Sequence, residues 1–154
     1  MDKKNNPIWS TRIKSKTSGI FQKVSSSIDI DKRLFKEDII ASITHVEMLN
    51  RQKIISFKIK NKIIWGLKKI QNQIIKKKYI FDYKDEDIHM SIEKKLFELI
   101  GEDAGYIHTA RSRNDQVLVD FKIWMINSNN KLIKILDQTI NNFLKIAEKN
   151  IYTI

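Results

Sequence analysis

The chain has 154 residues, which is enough for one domain with a modest hydrophobic core. It has no cysteine, which excludes disulfides and thiolate metal sites and fits a reducing compartment. The formal net charge is +11, and the lysines indicate either a solvated surface shaped by compositional bias or a polyanion partner. We favour the solvated surface and expect no nucleic-acid partner. Residues 1–9 lack the apolar core of a signal peptide, and the sequence has no apolar run of about 18 residues, so no membrane span is expected.

Helical periodicity dominates the chain after residue 26. Residues 1–26, rich in Ser, Thr and Lys, are predicted to form an extended N-terminal arm. Three stretches then place apolar residues at spacings of three and four, which favours amphipathic helices. These residues are Phe35, Ile39, Ile43 and Val46; Ile59, Ile63, Leu67, Ile70 and Ile74; and Ile88, Ile92, Leu96 and Leu99. The sequence therefore predicts an all-α fold with an N-terminal helical domain over residues 27–111. The segment "KYIFDY" is the one place where a brief strand is considered.

The third predicted helix has recognisable ends. Acidic residues 85–87 stand where the helix dipole is positive, and Gly101 follows the last apolar position as a C-terminal cap. Residues 102–111 are predicted to be a connecting loop.

A much longer helix is predicted to begin after Ser112. No Gly or Pro occurs from there to Glu148, so the helix would be on the order of 50 Å long. Its apolar side is formed by Leu118, Phe121, Met125, Leu132, Ile135 or Leu136, Phe143 and Ala147. The preceding helices are too short to cover this length. We therefore interpret residues 112–154 as the first long helix of a central bundle that other chains, or a missing remainder of this chain, complete.

The segment "HTARSRNDQV", residues 108–117, concentrates polar side chains at the start of this long helix. Ser112 and Asp115 have the spacing of a capping box, which places Arg113 and Asn114 in the first turn. Free N–H groups, the positive end of the helix dipole and a planar guanidinium together suit a carboxylate ligand. The same pattern is also that of an ordinary helix cap, and the spacing alone leaves both interpretations open.

A longer pattern resembles a known family. Residues 85–117, "DEDIHMSIEKKLFELIGEDAGYIHTARSRNDQV", resemble the N-terminal part of argininosuccinate lyases, which carry "DEDIH", "LIG" and "HTGRSRNDQ" segments. Residues 25–56 are similar to the family's upstream segment, and "IW" at residues 8–9 stands where its "LWGGRF" begins. The resemblance extends from Ile8 to about Ile151.

This resemblance implies a fold, a reaction and partners. The fold is mainly helical, and four subunits pool their long helices in one core. The reaction is a β-elimination that splits argininosuccinate into arginine and fumarate, without a metal or an organic cofactor. A cytoplasmic homotetramer acting on a small-molecule substrate is therefore expected.

The resemblance also assigns site residues. Arg113 and Asn114 match substrate-contacting positions of the family loop, and Ser27 matches a substrate-binding serine. Asp87 and His89 match "DEDIH" positions that line or support the site, although Asp87 also fits an ordinary helix start and His89 a bridge between segments. His45 and His108 match packing or hydrogen-bonding positions.

Three departures from the family pattern qualify these expectations. "WSTRI" replaces "WGGRF", although Arg12 is kept, and Ala110 replaces a glycine that would tolerate a positive φ. The third departure is that the family's "THLQ" and "GSSxMPxKxN" segments, which carry the acid–base histidine and the catalytic serine, are absent from the 154 residues. No catalytic residue is therefore assigned. The interpretations left open are a truncated, inactive lyase, one part of a split lyase completed by another chain, and a non-catalytic basic helical module that binds a polyanion or a protein.

Overall fold

The computed structural model describes residues 24–153 and is helical throughout its regular structure. The helices are α1 (Ile28–Asp31), α2 (Phe35–Arg51), α3 (Phe57–Ile75), α4 (Ile88–Ile100) and α5 (Arg113–Lys149). Two 3₁₀ segments, Lys32–Leu34 and Gly101–His108, precede α2 and follow α4. No strand occurs within residues 24–153, so the predicted all-α fold is confirmed. The N-terminal arm, including Ile8, Trp9 and Arg12, lies almost wholly outside the described residues.

Helices α2, α3 and α4 share one core because α3 packs against both α2 and α4, and the apolar stripes of all three contribute to one buried cluster. The fully buried positions include Ile39, Val46 and Leu49 of α2, Ile63, Leu67 and Ile70 of α3, and Ile88, Ile92 and Leu96 of α4. Gly66 lets α3 approach α4 closely, since a Cβ atom there would collide with the Leu96 side chain. The apolar residues whose spacing predicted these helices thus form the helix faces that are buried in the core.

The predicted loop at 102–111 is wrong over most of its length. Residues Gly101–His108 form a 3₁₀ segment because Ala104 and Ile107, three positions apart, are both buried against the core. Gly101 itself caps α4 with a φ of 72°, as the sequence predicted.

The brief strand considered at "KYIFDY" does not form. Tyr79 and Phe81 instead pack against each other, with ring centroids 4.8 Å apart, and the Tyr79 hydroxyl lies 2.9 Å from the Ser91 carbonyl, to which it donates. Ile80 between them is exposed. Partly buried and exposed residues do alternate along residues 79–81, but no second segment pairs with them among the described residues.

Helix α5 extends far beyond the core, as the sequence predicted. Gln116 and Asp120 are its only buried residues, and every residue from 129 to 149 is exposed. Leu132, Leu136 and Phe143 are 54%, 51% and 68% exposed. Such a run of uncovered apolar side chains is typical of an association surface. None of the described helices combines the length and apolarity that crossing a bilayer requires. The division into units at 26/27 and 111/112 stays a prediction.

We expect the 154-residue chain to self-associate through α5. Burial of each large apolar side chain contributes about 1.5–3 kcal/mol, so Leu136→Gln should weaken association about tenfold or more. Lys134→Gln is the matched control, because two residues along a helix lie about 200° around its axis. Sedimentation velocity at several concentrations measures the difference. A wild-type chain that stays monomeric, or equal behaviour of the two variants, would contradict this expectation.

Candidate functional site

The turn that carries Ser27 is docked onto the start of α4. The Ser27 N–H donates to the Glu86 carbonyl at 2.8 Å. Asp31 completes the link, because one carboxylate oxygen accepts from the Ser27 hydroxyl (2.6 Å) and the other from the Ile88 N–H (3.1 Å). Ser27 remains exposed, so its hydroxyl is placed next to the N-terminal end of α4 and is reachable from solvent.

Asp87 and Arg113 form the centre of the predicted site. Asp87 is the N-cap of α4 and accepts from the Met90 N–H at 2.6 Å. The Arg113 Nε atom lies 3.5 Å from an Asp87 carboxylate oxygen, and one Nη lies 3.5 Å from Glu93. The other Nη donates to the Gln116 side chain at 3.3 Å. The guanidinium is thus oriented from three sides, while its contacts to the two carboxylates are long for ion pairs.

The N-terminal end of α5 is capped as the sequence predicted. The Ser112 N–H donates to Asp115 at 3.0 Å, and the Asn114 N–H donates to the Ser112 hydroxyl at 3.2 Å. Asn114 is exposed in the first turn beside Arg113. The positive end of a 37-residue helix and a guanidinium therefore point into the same region.

A buried cluster of titratable side chains lies beneath this region. The His89 Nδ1–H donates to Asp38 of α2 at 2.7 Å, and the same nitrogen lies 3.6 Å from Asp120 of α5. Asp38, His89 and Asp120 are 1%, 4% and 0% exposed. Both Asp120 carboxylate oxygens are buried without a hydrogen-bond partner among the described residues. Three helices therefore meet at one charged contact.

Burial and the negative charge of Asp38 together set the protonation of this cluster. Burial, together with the negative charge of Asp38, raises the pKa of Asp120 to about 8. Burial alone would lower the pKa of His89, but the hydrogen bond and charge of Asp38, aided by Asp87 and Asp120, raise it above its ordinary value. The cluster thus retains protons that the same groups would release in water.

The loop between the 3₁₀ segment and α5 is fixed to α2 by two polar contacts. The His45 Nε2 atom lies 2.9 Å from the Thr109 carbonyl, and an Arg111 Nη donates to the Ser42 hydroxyl at 3.1 Å. His45 thus has the hydrogen-bonding place expected of it. Ala110 adopts a φ of 54°, the left-handed conformation that the glycine of the resembled motif would adopt without strain.

The structure brings most of the predicted site residues together but places His89 in the interior. Asp87 and Arg113 are in contact, Ser27 is bonded to the residue before Asp87, and Asn114 follows Arg113 in the chain. His89 points into the interior and supports the surrounding residues instead of facing solvent. The assignment of these residues to substrate binding stays a prediction.

Sequence reasoning missed the supporting residues Asp31, Asp38, Glu93, Arg111 and Asp120. Gln116 and Asp120 follow Arg113 by three and seven residues and so lie on the same face of the predicted helix. This shared face was the signal that could have identified Asp120. No comparable local signal identifies Asp31 or Asp38, which act across distances of 57 and 51 residues.

The buried cluster also has the composition of a metal site. Asp38, His89 and Asp120 each place one potential ligand atom within 4.8 Å of the others. Two observations favour a proton-sharing cluster over a divalent cation. His89 Nδ1 is already bonded to Asp38, and the Arg111 guanidinium acts electrostatically on both carboxylates, which supplies positive charge.

Comparison with known sequences identifies the family of the chain. The family described as "Lyase" matches residues 11–154, and the chain belongs to that family. Similar curated proteins are named argininosuccinate lyase. The one from Pelagibacter ubique (strain HTCC1062) is 62% identical over 153 residues, which are 99% of this chain and 33% of that protein.

Two further relatives have the same name. The protein from Ehrlichia chaffeensis (strain ATCC CRL-10679 / Arkansas) is 48% identical over 97% of this chain and 32% of its own length. That from Campylobacter jejuni (strain RM1221) is 43% identical over 97% of this chain and 33% of its own length. The chain thus spans about a third of the length of the curated relatives it matches.

The buried cluster predicts a stability that depends on pH. Because the pKa of Asp120 rises from 3.8 to about 8 on folding, the folded chain holds a proton that the unfolded chain has released between those values. Stability should therefore fall as pH rises through this window, and the raised pKa of His89 acts in the same direction. Asp120→Asn should flatten the fall by at least about 1.4 kcal/mol, the equivalent of one pKa unit.

Urea denaturation from about pH 5 to about pH 9 tests this expectation, with the exposed Asp137→Asn as the matched control. A wild-type chain whose stability rises with pH would contradict it, as would an Asp120→Asn variant that keeps the full dependence.

The strained loop predicts a stabilising substitution. Relief of left-handed strain is worth about 1–2 kcal/mol, and the extra freedom of glycine in the unfolded chain costs about 0.4–1 kcal/mol. Ala110→Gly should therefore raise the free energy of unfolding by about 0.5 kcal/mol. Ala147→Gly, inside α5, is the control and should give no gain. Thermal and urea unfolding compare the two, and a destabilised Ala110→Gly variant would refute the strain argument.

Proposed function

We propose that this chain supplies the carboxylate-binding part of an argininosuccinate lyase active site. The observation that carries the proposal is that the Arg113 guanidinium, in the first turn of α5, and the exposed Ser27 hydroxyl both lie at the start of α4, beside Asp87 and Glu86 respectively. The substrate proposed from the resemblance is an anionic amino acid with several carboxylates. Fixed donors of this kind are suited to binding it.

The proposed reaction is a β-elimination. A base removes a proton next to a carboxylate of argininosuccinate, the guanidinium group leaves as arginine, and the remaining carbon skeleton becomes fumarate. Negative charge builds up on that carboxylate as the proton departs, so donors fixed in advance stabilise the intermediate. In this proposal Arg113 and Asn114 hold substrate carboxylates, and Ser27 turns its O–H from Asp31 to donate to one of them. Asp87 and His89 keep Arg113 and the start of α4 in position.

Partners are part of the proposal. The resemblance implies that the acid–base histidine and the catalytic serine lie in other segments of the enzyme. In the proposed homotetramer, different subunits contribute these segments to one active site. The exposed apolar length of α5 supports this arrangement, because neighbouring long helices would cover it. A cytoplasmic enzyme that acts without a cofactor completes the proposed assignment.

A chimera tests the proposed activity. This chain would be joined to the part of the Pelagibacter ubique relative that follows the 153 matched residues. Fumarate formation from argininosuccinate, followed by ultraviolet absorbance, should be detected for the chimera and be absent for the 154-residue chain alone, which lacks the acid–base segments. A chimera that assembles but is inactive would argue against the proposal.

Arg113 is the most direct target within that chimera. Arg113→Lys should lower kcat/KM by at least about a hundredfold, because a point charge does not replace a planar two-pronged donor. Arg51→Lys, at the exposed end of α2, is the matched control and should leave kcat/KM unchanged. If Arg113→Lys retained full activity, the proposed role of the guanidinium would be wrong.

A further inference from the structure

The positive charge of the chain is concentrated in one segment. Residues 48–81 contain ten basic residues and no acidic residue, and so contribute +10 of the net charge of +11. All the other residues together contribute +1. Lysines occur along the whole chain, but outside this segment acidic residues balance them. Compositional bias toward lysine does not by itself explain why acids are missing from this segment.

Helix α3 exposes much of this charge on one side. Lys58, Trp65, Lys69, Asn72 and Lys76 recur at spacings of seven, four, three and four, and all are exposed. Together with the adjacent Lys68, these residues define the basic face of α3. The opposite side of the helix carries Ile63, Leu67 and Ile70 and is fully buried in the core.

The charges of this face are not neutralised within the described part of the chain. Among the ten basic residues of segment 48–81, only Arg51 and Lys62 lie within 4.0 Å of a carboxylate of residues 24–153. The exposed lysines of the basic face therefore repel one another, and an anionic partner would relieve that repulsion.

An aromatic ring lies in the middle of the basic face. Trp65 is 53% exposed, and the Lys69 ammonium stands 4.8 Å from the centroid of its ring. A groove of about 440 Å³ runs beside it and is lined, among others, by Lys68, Asn72, Lys76 and Lys78. A flat aromatic ring among lysines matches the chemistry with which proteins bind single-stranded nucleic acid, where bases stack and phosphates meet cations.

We propose that the basic face of α3 binds single-stranded nucleic acid, with a base stacked on Trp65 and phosphates held by the surrounding lysines. A membrane surface fits less well, because a helix that lies on a bilayer inserts its apolar side and the apolar side of α3 is committed to the core. This inference is independent of the proposed lyase function, since the basic face shares no residue with the Arg113 region.

Fluorescence anisotropy of a labelled oligothymidylate of about 15 nucleotides tests the proposal with the 154-residue chain. Binding in the micromolar range is expected at low salt, and it should weaken steeply as salt is added. The triple variant Lys68→Gln/Lys69→Gln/Lys76→Gln should bind at least about fivefold more weakly. Its log–log salt dependence should be shallower by about 2, which corresponds to three lost phosphate contacts.

The matched control is Lys122→Gln/Lys131→Gln/Lys134→Gln, which removes the same charge from exposed positions of α5. It should change affinity less than about twofold beyond the general effect of net charge. Trp65→Ala should weaken binding about fivefold or more while leaving the salt dependence unchanged, since stacking releases no counterions. Circular dichroism of each variant confirms that the helices are intact.

Several results would overturn the proposal. These are no binding at low salt, equal losses from the two triple variants, or an unchanged affinity of Trp65→Ala. Preferential binding to vesicles of phosphatidylglycerol, lost in the α3 triple variant while the oligonucleotide is ignored, would assign the face to a membrane and refute nucleic-acid binding.

Discussion

The contact between His89, Asp38 and Asp120 is the constraint on which the arrangement of the candidate site depends. It joins α2, α4 and α5 at a point where none of the three side chains is reached by solvent. An isolated buried charge is costly, but the His89 imidazole is hydrogen-bonded to the Asp38 carboxylate, and Asp120, with its pKa raised to about 8, keeps its proton near neutral pH. The register of α2 and α4 is restricted, because sliding either helix would leave His89 and Asp38 buried and unpaired.

The exposed site follows from this internal contact through short lengths of chain. Asp87 precedes His89 by two residues at the start of α4, and Arg113 precedes Asp120 by seven residues, or two turns, on α5. Fixing His89 against Asp120 therefore also fixes Asp87 near Arg113. Asp31 adds the third element, since its two oxygens hold the Ser27 turn to the same end of α4. The buried contact of His89 thus determines where the exposed hydrogen-bond donors of the candidate site lie.

The features that could be predicted from the sequence are those that depend on the spacing of residues close together in the chain. The apolar repeats of α2 to α4, the Gly101 cap and the Ser112–Asp115 capping box all depend on residues within one or two turns. The 3₁₀ segment was missed because its two buried residues are too few to give a period. Asp38 was missed for a different reason. An acid beside Ile39 in an amphipathic helix normally faces water, and only a partner 51 residues away reveals that it is buried.

Site residues divide in the same way. Arg113 and Asn114 were predicted to be site residues because a helix start attracts anions and because the surrounding sequence resembles a family motif. Their geometry was not predictable, since Asp87 and Glu93 are brought to Arg113 by packing alone. The long exposed part of α5 was foreseen from its length, because three short helices cannot cover a helix on the order of 55 Å long.

The long contacts that Arg113 makes with Asp87 and Glu93 are the feature of the candidate site most relevant to the proposed carboxylate binding. Both carboxylate contacts are 3.5 Å long, which is well beyond the 2.7–2.9 Å typical of strong charge-assisted hydrogen bonds. The contacts therefore orient the guanidinium and limit its rotamer freedom without saturating its donors. Under the proposed function, an incoming carboxylate would meet a guanidinium that is already oriented, because the entropy of ordering that side chain has been lost during folding. Asp87 and Glu93 would then act as positioning residues, and their negative charge would disfavour any ligand whose carboxylate does not reach Arg113.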